Sequence, residues 1–275
     1  AIRWQGGEIP PPALPPVQPV AKCQGHEIDW TVPLRANTEP VGIDAAFNDK
    51  VSQIFRNDYV SPRSPFASLA LPKHGYGSWC YPRETFEVDD SCLRAAAARG
   101  GGRISLPNGL AFLTPGTADA KNVAFVSLWD NYPDELSIPL SGRASRVFLL
   151  ATGSTNSMQS HCDNAEVVVT YADGTTARLP LHNPTTWRPI DQDYVIDDYA
   201  FRYQGAIPPR VDLKTGRIRF PQRGDLSRGP NLMVAGGAAT VLNLPLDPAK
   251  PLQSLTVRAL ANEVVVGLIS VTLAR

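Results

Sequence analysis

The segment AEVVVTYADGTTARLPL, residues 165–181, limits the fold of this chain more than any other stretch. Val167, Val169 and Tyr171 occupy alternate positions, so they fall on one face of an extended strand. Asp173-Gly174 follows them and supplies the positive φ angles that tight hairpin turns require. The segment therefore predicts an antiparallel hairpin with one apolar face.

Other segments of the same character surround this hairpin, and helical patterns are scarce. They are rich in β-branched and aromatic residues and end in turn formers. Their ranges are 123–129, 145–153, 240–246, 252–260 and 264–273. Together with 26 prolines, this pattern predicts an all-β fold. We expect an antiparallel β-sandwich of the jelly-roll or galactose-binding-like type, preceded by a short helical and proline-rich N-terminal segment.

The chain divides into a proline-rich N-terminal strap or linker, residues 1–43, and a β-sandwich domain, residues 44–275. Residues 9–20, IPPPALPPVQPV, favour extended polyproline II because proline fixes φ and lacks a backbone donor. Residues 183–235 make an aromatic, arginine-rich excursion that is too long for an ordinary connection. We interpret this excursion as a functional loop or an added hairpin.

Two segments carry a helical pattern. In residues 47–59, FNDKVSQIFRNDY, the apolar positions Phe47, Val51, Ile54 and Phe55 have the spacing of one short amphipathic helix. In residues 93–102, the alanine-rich run before three glycines predicts one or two helical turns with a glycine stop.

Charge and the length of apolar runs each argue against one class of partner. The chain has 26 Lys and Arg against 26 Asp and Glu, and therefore lacks the basic footprint that a phosphate backbone demands. No apolar run reaches the roughly 20 residues that a membrane-spanning helix needs. We expect neither a nucleic-acid partner nor a membrane span.

The four cysteines, Cys23, Cys80, Cys92 and Cys162, allow three complete pairings that the sequence does not rank. Cys80 and Cys92 are the best disulfide candidate because only a short loop separates them. The alternative is that the thiols are free and buried as small apolar groups. A zinc-thiolate site is not favoured, since there is no CxxC pair.

The acidic loops supply the only candidates for catalysis. Nucleophile-elbow, zinc-helix and phosphate-loop motifs are absent from the sequence, whereas glycoside hydrolysis needs only two carboxylates across a cleft. The catalytic candidates are Asp130, Asp134, Asp191 and Asp193. The alternative is that such aspartates cap turns or pair with arginines.

Calcium is the one cofactor that the sequence suggests. Asp163, Asn164 and Glu166 offer the hard oxygen ligands that calcium prefers. Their spacing matches no dedicated calcium loop, and turn hydrogen bonds explain the same residues equally well.

Three polar-aromatic loops, WDNYPD, STNSMQSHCDN and NPTTWRPIDQDY, each follow an apolar strand or a hairpin. We expect them to converge at one end of the sandwich and to bind carbohydrate or a partner. The predicted binding residues are Trp129, Asn131, Tyr132, Gln159, His161, Trp187 and Tyr194. Aromatic faces stack on sugar rings, and Trp187 is the expected platform. The alternative for either tryptophan is a buried core position.

Several blocks of the sequence resemble a bacterial family of domains of unknown function. The resemblance covers roughly residues 44–275 and is carried by FNDKVSQIFRNDYVSPRSP, GYGSWCYP, DDSCLR, SLWDNYPDELSIPLSGRASRVFLLATGSTNSMQS, VTYADGT and NPTTWRPIDQDY. Members form the C-terminal β-sandwich part of secreted or periplasmic proteins with an (α/α)6 six-hairpin glycosidase-like region. The resemblance assigns no catalytic residue.

The resemblance implies a β-sandwich portion of a carbohydrate-active protein, as a fragment or subunit of a glycoside hydrolase acting on plant or microbial polysaccharide. It implies carbohydrate and an (α/α)6 helical domain or subunit as partners, and a periplasmic or secreted location. One alternative is a non-catalytic carbohydrate-binding module. Another is an autonomous glycoside hydrolase that uses aspartates of the 130–134 and 191–198 loops.

Overall fold

The computed structural model describes residues 34, 36–57, 59, 86–129, 131–155, 162–183, 186–191, 208–220, 234–262 and 264–275. Within these ranges the chain is an antiparallel all-β sandwich, as predicted. The strands are β1 (Thr38–Val41), β2 (Arg103–Ser105), β3 (Ala111–Leu113), β4 (Ala124–Ser127), β5 (Glu135–Pro139), β6 (Arg146–Thr155), β7 (Asp163–Tyr171), β8 (Thr176–His182), β9 (Arg210–Asp212), β10 (Ile218–Arg219), β11 (Ala238–Pro245), β12 (Leu252–Ala259) and β13 (Val264–Ala274). The α-helix α1 spans Ser91–Arg99.

The strand order is that of a jelly roll. The larger sheet runs β1-β13-β6-β11-β9-β10, with β4 also paired to β13, and the smaller sheet runs β5-β12-β7-β8. Eight strands form the jelly roll itself, β4 to β8 and β11 to β13. Numbered one to eight in chain order, they give the larger sheet the order first-eighth-third-sixth and the smaller sheet the order second-seventh-fourth-fifth. This interleaving of two Greek keys defines the jelly roll.

The hairpin predicted from residues 165–181 is confirmed. β7 and β8 pair antiparallel, with Val167 opposite Leu179. The turn is closed by the Tyr171 amide, which donates to the Thr175 carbonyl over 2.9 Å. Gly174 has a φ of 80°, which is the conformation that favours glycine there.

The main core lies between the two sheets. Along β6, Val147, Leu149 and Ala151 face the smaller sheet, where they join residues such as Val169 and Leu255. The intervening residues of β6 point to the other side of the larger sheet. The period of two along each strand therefore gives the larger sheet two apolar faces.

A layer built from residues 48–57, 59 and 86–123 covers the outer face of the larger sheet. Val51, Leu93 and Phe112 are buried there against Phe148 and its neighbours. α1 belongs to this layer and ends at Gly100, whose amide donates to Ala96 and Ala97. The predicted alanine-rich helix with a glycine stop is thus confirmed.

The predicted helix over residues 47–59 is not confirmed. Among the described residues of this segment, Val51–Gln53 forms a short 3-10 helix, and Asp49 forms a β-bridge with Val123. The side chain of Asn48 bonds both the carbonyl (2.8 Å) and the amide (2.9 Å) of Phe125. These contacts with β4 hold the segment extended at its start, so tertiary pairing overrides the local helical spacing.

The domain division at residue 43 stays a prediction, and residues 9–20 lie outside the described residues. β1 precedes residue 43 and pairs along the end of β13, with Thr38 opposite Ala274. The larger sheet therefore includes four residues of the segment interpreted as a strap or linker. In the 183–235 excursion, β9 and β10 form the added hairpin and extend the larger sheet beyond β11.

The predicted Cys80–Cys92 disulfide is not formed. Cys92 is a free thiol at the start of α1, and its sulfur lies 3.2 Å from the position that a Cβ on Gly216 would occupy. The thiol packs against the β9–β10 hairpin rather than bridging a short loop. Cys80 lies outside the described residues.

Of the helices in the described part of the chain, none combines the length and apolar character required to cross a membrane.

Candidate functional site

The roots of the three predicted loops meet at one end of the sandwich, which we call the loop end. In the larger sheet, Val265 lies opposite Ser127 and Val264 opposite Thr155. In the smaller sheet, Asp163 lies opposite His182. The loop end comprises the described residues 128–129, 131–134, 183, 186–191, 234–237 and 260–262 together with the adjoining strand ends. The predicted convergence is therefore confirmed for the described roots.

The aromatic residues predicted to stack on sugars are buried at this end. The exposed fractions of Trp129, Tyr132 and Trp187 are 3%, 5% and 1%. The prediction that Trp187 is an exposed platform is wrong, because its side chain enters the core between the sheets. The described part of the loop end instead exposes Asn131, Asp134 and Leu260.

Trp187 closes the end of the core in a specific position. Its Nε1 donates a hydrogen bond to the Asn164 Oδ1 over 3.2 Å. The ring lies against Gly153, where an added Cβ would come within 3.0 Å of the indole and 2.2 Å of the Val265 carbonyl. Only glycine allows this approach of the indole to β6.

A polar network holds the WDNYPD loop against the N-terminal layer. The Tyr132 hydroxyl donates to Asp49 over 2.7 Å, and the Asn57 amide lies 2.6 Å from the Tyr132 hydroxyl and 2.8 Å from Asp49. Burial raises the pKa of Tyr132 above the ordinary phenol range, and nearby Tyr59 and Asp49 raise it further. Tyr132 is thus a neutral anchor, and no sequence motif identified its partners.

Asp191 is the most unusual group at the loop end. Its side chain is fully buried, and neither carboxylate oxygen accepts a hydrogen bond of good geometry from a described residue. Burial raises the pKa of Asp191 to about 8, and the attraction of its own backbone amide and of the Arg210 guanidinium offsets only part of this effect. The carboxyl is therefore mainly protonated at neutral pH.

Two buried arginines accompany Asp191. The Arg210 Nη2 donates to the carbonyls of Pro189 (2.8 Å) and Ala238 (2.7 Å), and Arg188 is only 1% exposed. Sequence reasoning missed both residues. The arginine-rich composition of the 183–235 excursion is the signal that could have indicated them.

The catalytic candidates are only partly placed. Asp134 is exposed, its backbone carbonyl accepts the Ala259 amide, and it shares the loop end with the buried Asp191. Asp130 and Asp193 lie outside the described residues. A carboxylate pair facing one cleft therefore stays a prediction.

The predicted calcium ligands point to different partners. Asp163 lies 2.8 Å from His182 Nδ1, Asn164 is buried and bonds Trp187, and Glu166 pairs with Arg178 at 3.2 Å and also with Arg258. The register of β7 shifts between Asp163 and Ala165, so Asn164 turns into the core towards Trp187 while Glu166 stays with the arginines on the outer face. The three side chains therefore do not surround one position. Among the described residues, no group of three or more His, Cys, Asp or Glu could hold a metal.

Three other predicted binding residues, Gln159, His161 and Tyr194, lie outside the described residues.

A scan of protein-family models finds no match to the chain, and a search of curated proteins finds none. Among the described residues, the loop end therefore combines exposed polar side chains, Asn131 and Asp134, with the fully buried carboxyl of Asp191.

Proposed function

We propose that this chain is the β-sandwich part of a bacterial carbohydrate-active protein and contributes to a glycoside hydrolase acting on plant or microbial polysaccharide. The observation that carries the proposal is the shared position of the loop roots at one end of a jelly roll. Loops on a rigid sandwich are the usual place for recognition. The sequence blocks that resemble the glycosidase-associated family give the proposal its direction.

The coverage of the two sheets favours the loop end as the contact surface. The N-terminal layer covers the outer face of the larger sheet. On the outer face of the smaller sheet, Glu166 is already paired with Arg178 and Arg258, and Ser137 with Thr256. At the loop end, the side chains of Asn131, Asp134 and Leu260 are exposed to solvent.

The contribution of this chain is to complete a site rather than to bind sugar by stacking alone. The three described aromatic residues that motivated a stacking platform are buried. A non-catalytic binding module would therefore depend on residues other than Trp129, Tyr132 and Trp187. Docking against a helical catalytic region, as a domain or as a subunit, needs only the polar and apolar groups of the loop end.

Binding measurements test this proposal. The chain is titrated calorimetrically with an oligosaccharide panel from plant and microbial polysaccharides, alone and after mixing with a separately expressed (α/α)6 region. We expect the wild-type chain to show binding or activity in one of these measurements. The double variant Asn131→Ala with Asp134→Ala should weaken it at least about tenfold. Ser141→Ala, at the opposite end of the sandwich, is the matched control. Loss that is equal in both variants, or no binding to either class of partner, contradicts the proposal.

Independent catalysis is a second candidate function, and it requires a carboxyl that holds its proton near neutral pH and also reaches the substrate. Burial raises the pKa of Asp191 to about 8, which meets the first requirement, but the side chain has no exposed surface in this structure. Turnover of chromogenic glycosides by the isolated chain, abolished in Asp191→Asn and retained in Glu135→Gln, would establish this function. Absence of turnover in the isolated chain, with activity on mixing, would leave the subunit role.

A further inference from the structure

We propose that residues 188–191 form a latch on the loop end, closed while Asp191 is protonated and released when Asp191 ionises. This inference concerns the chain's own conformation and does not depend on which ligand or partner the loop end binds. It rests on how the backbone of the latch is held and on where the Asp191 side chain is placed.

Among the described residues, three backbone hydrogen bonds hold the C-terminal part of the latch. The Ile190 amide donates to Gly153 of β6 over 2.7 Å, the Ala238 amide donates to Ile190 over 2.8 Å, and the Val234 amide donates to Asp191 over 2.8 Å. Ile190 also packs tightly on Gly237, where an added Cβ would lie 2.9 Å from its Cγ1. These contacts join the latch to two strands without making it part of either.

The closed position places the Asp191 carboxyl where a charge is poorly tolerated. The residue has no exposed surface, and its oxygens accept no hydrogen bond of good geometry from described residues. A buried, ionised carboxylate without such bonds costs several kcal/mol, whereas the neutral acid costs much less. Burial accordingly raises the pKa of Asp191 to about 8.

The charged groups around the latch do not remove this cost. From β9, Arg210 attracts the carboxylate, but its Nη2 is directed to two carbonyls. The other β9 charge, Asp212, pairs with Arg219 over 2.5 Å. Residues 147–155 of β6 and all of β11 contain no ionisable side chain.

Three further charges lie near this region. Asp89 and Lys214 pair at 3.8 Å beside Gly236, so they largely compensate each other. Arg188 belongs to the latch itself and is buried with it. Its charge stays constant over the pH range in which Asp191 titrates, so it does not set the pH response.

The direction of the pH effect follows from the proton balance. In the released latch the carboxyl is hydrated and has an ordinary pKa near 3.9, so the closed form binds one proton more between about pH 4 and pH 8. The equilibrium constant for opening should therefore rise roughly tenfold per pH unit in this interval and level off above it. The latch is tight in acid and loosens as the pH approaches 8.

Hydrogen exchange tests the latch directly. In the wild-type chain, the protection factors of the Ile190, Val234 and Ala238 amides should fall roughly tenfold per pH unit between about pH 4 and pH 8. In Asp191→Asn they should not change with pH. The Gly174 amide at the hairpin turn, far from the latch, and the surface variant Glu135→Gln are the controls.

Denaturant separates local opening from unfolding. Exchange of the three latch amides should be nearly independent of low urea concentrations, whereas exchange of the Val169 amide in the core should accelerate. The latch is refuted if its amides exchange only through global unfolding, or if their pH dependence persists in Asp191→Asn. Should that variant not fold, a flat pH profile of the wild-type amides would refute it equally.

Discussion

The indole of Trp187 and the carboxamide of Asn164 form a buried hydrogen bond of 3.2 Å, Nε1 donating to Oδ1. Both residues are almost completely shielded from solvent. The bond joins the start of β7 to the segment after β8. It therefore makes the position of the latch depend on the core between the two sheets.

Trp187→Ala should lower the free energy of unfolding by roughly 3 to 5 kcal/mol, because it leaves a large cavity beside Gly153 and removes the indole N–H that the Asn164 Oδ1 accepts. Trp187→Phe keeps most of the volume and should cost clearly less. Urea titration followed by circular dichroism measures both. A stable Trp187→Ala chain whose ligand affinity alone is reduced would instead indicate a surface role for the indole.

Gly174→Val should cost on the order of 1 to 3 kcal/mol. The residue has a φ of 80°, and no atom lies within 4 Å of an added Cβ, so the cost comes from backbone strain rather than from a clash. Gly174→Asn, which tolerates a positive φ better, is the control and should cost less. Equal thermal stability of the two variants would contradict this explanation.

The buried pair Asp90–Arg94 gives a third prediction. The Arg94 Nε donates to Asp90 over 2.8 Å, and the Asn122 amide donates to the same oxygen. Arg94→Met leaves a buried carboxylate without its cation and should cost roughly 3 to 5 kcal/mol. The double variant Asp90→Asn with Arg94→Met should recover part of that loss in a denaturant-based double-mutant cycle. Strictly additive costs would show that the two side chains act independently.

Tyr132→Phe should lower the free energy of unfolding by roughly 1 to 3 kcal/mol, since it removes the hydroxyl that bonds Asp49 and Asn57. It should also increase hydrogen exchange in the WDNYPD loop, while exchange in the β7–β8 hairpin stays unchanged. Thr256→Ala, which removes a more exposed hydroxyl hydrogen bond to Ser137, is the matched control and should have a smaller effect. Unchanged exchange in the loop would show that Tyr132 does not anchor it.

The elements predicted correctly are those whose signals are local. Alternation with Asp173-Gly174 predicted the β7–β8 hairpin, and an alanine run before glycines predicted α1. The strand ends then follow from the fold class, because a jelly roll returns its alternate connections to the same end. For this reason the position of the loop roots could also be predicted.

Burial and pairing depend on distant residues, and they account for the errors. Residues 47–59 have helical spacing, but β4 offers Asn48 and Asp49 partners that hold the chain extended. Trp187 has a polar, loop-like setting, but Gly153 and Asn164 open a place for it in the core. Neither Gly153 nor Asn164 is close to Trp187 in the sequence.

The sequence by itself determined that this chain forms an antiparallel sandwich and which loops share one end, because strand periodicity and turn chemistry act over a few residues. Only the tertiary structure decided that Trp187 is a core residue and that Asp191 is a buried acid. Both properties depend on which surfaces pack together, and those surfaces come from segments that lie tens of residues apart in the chain.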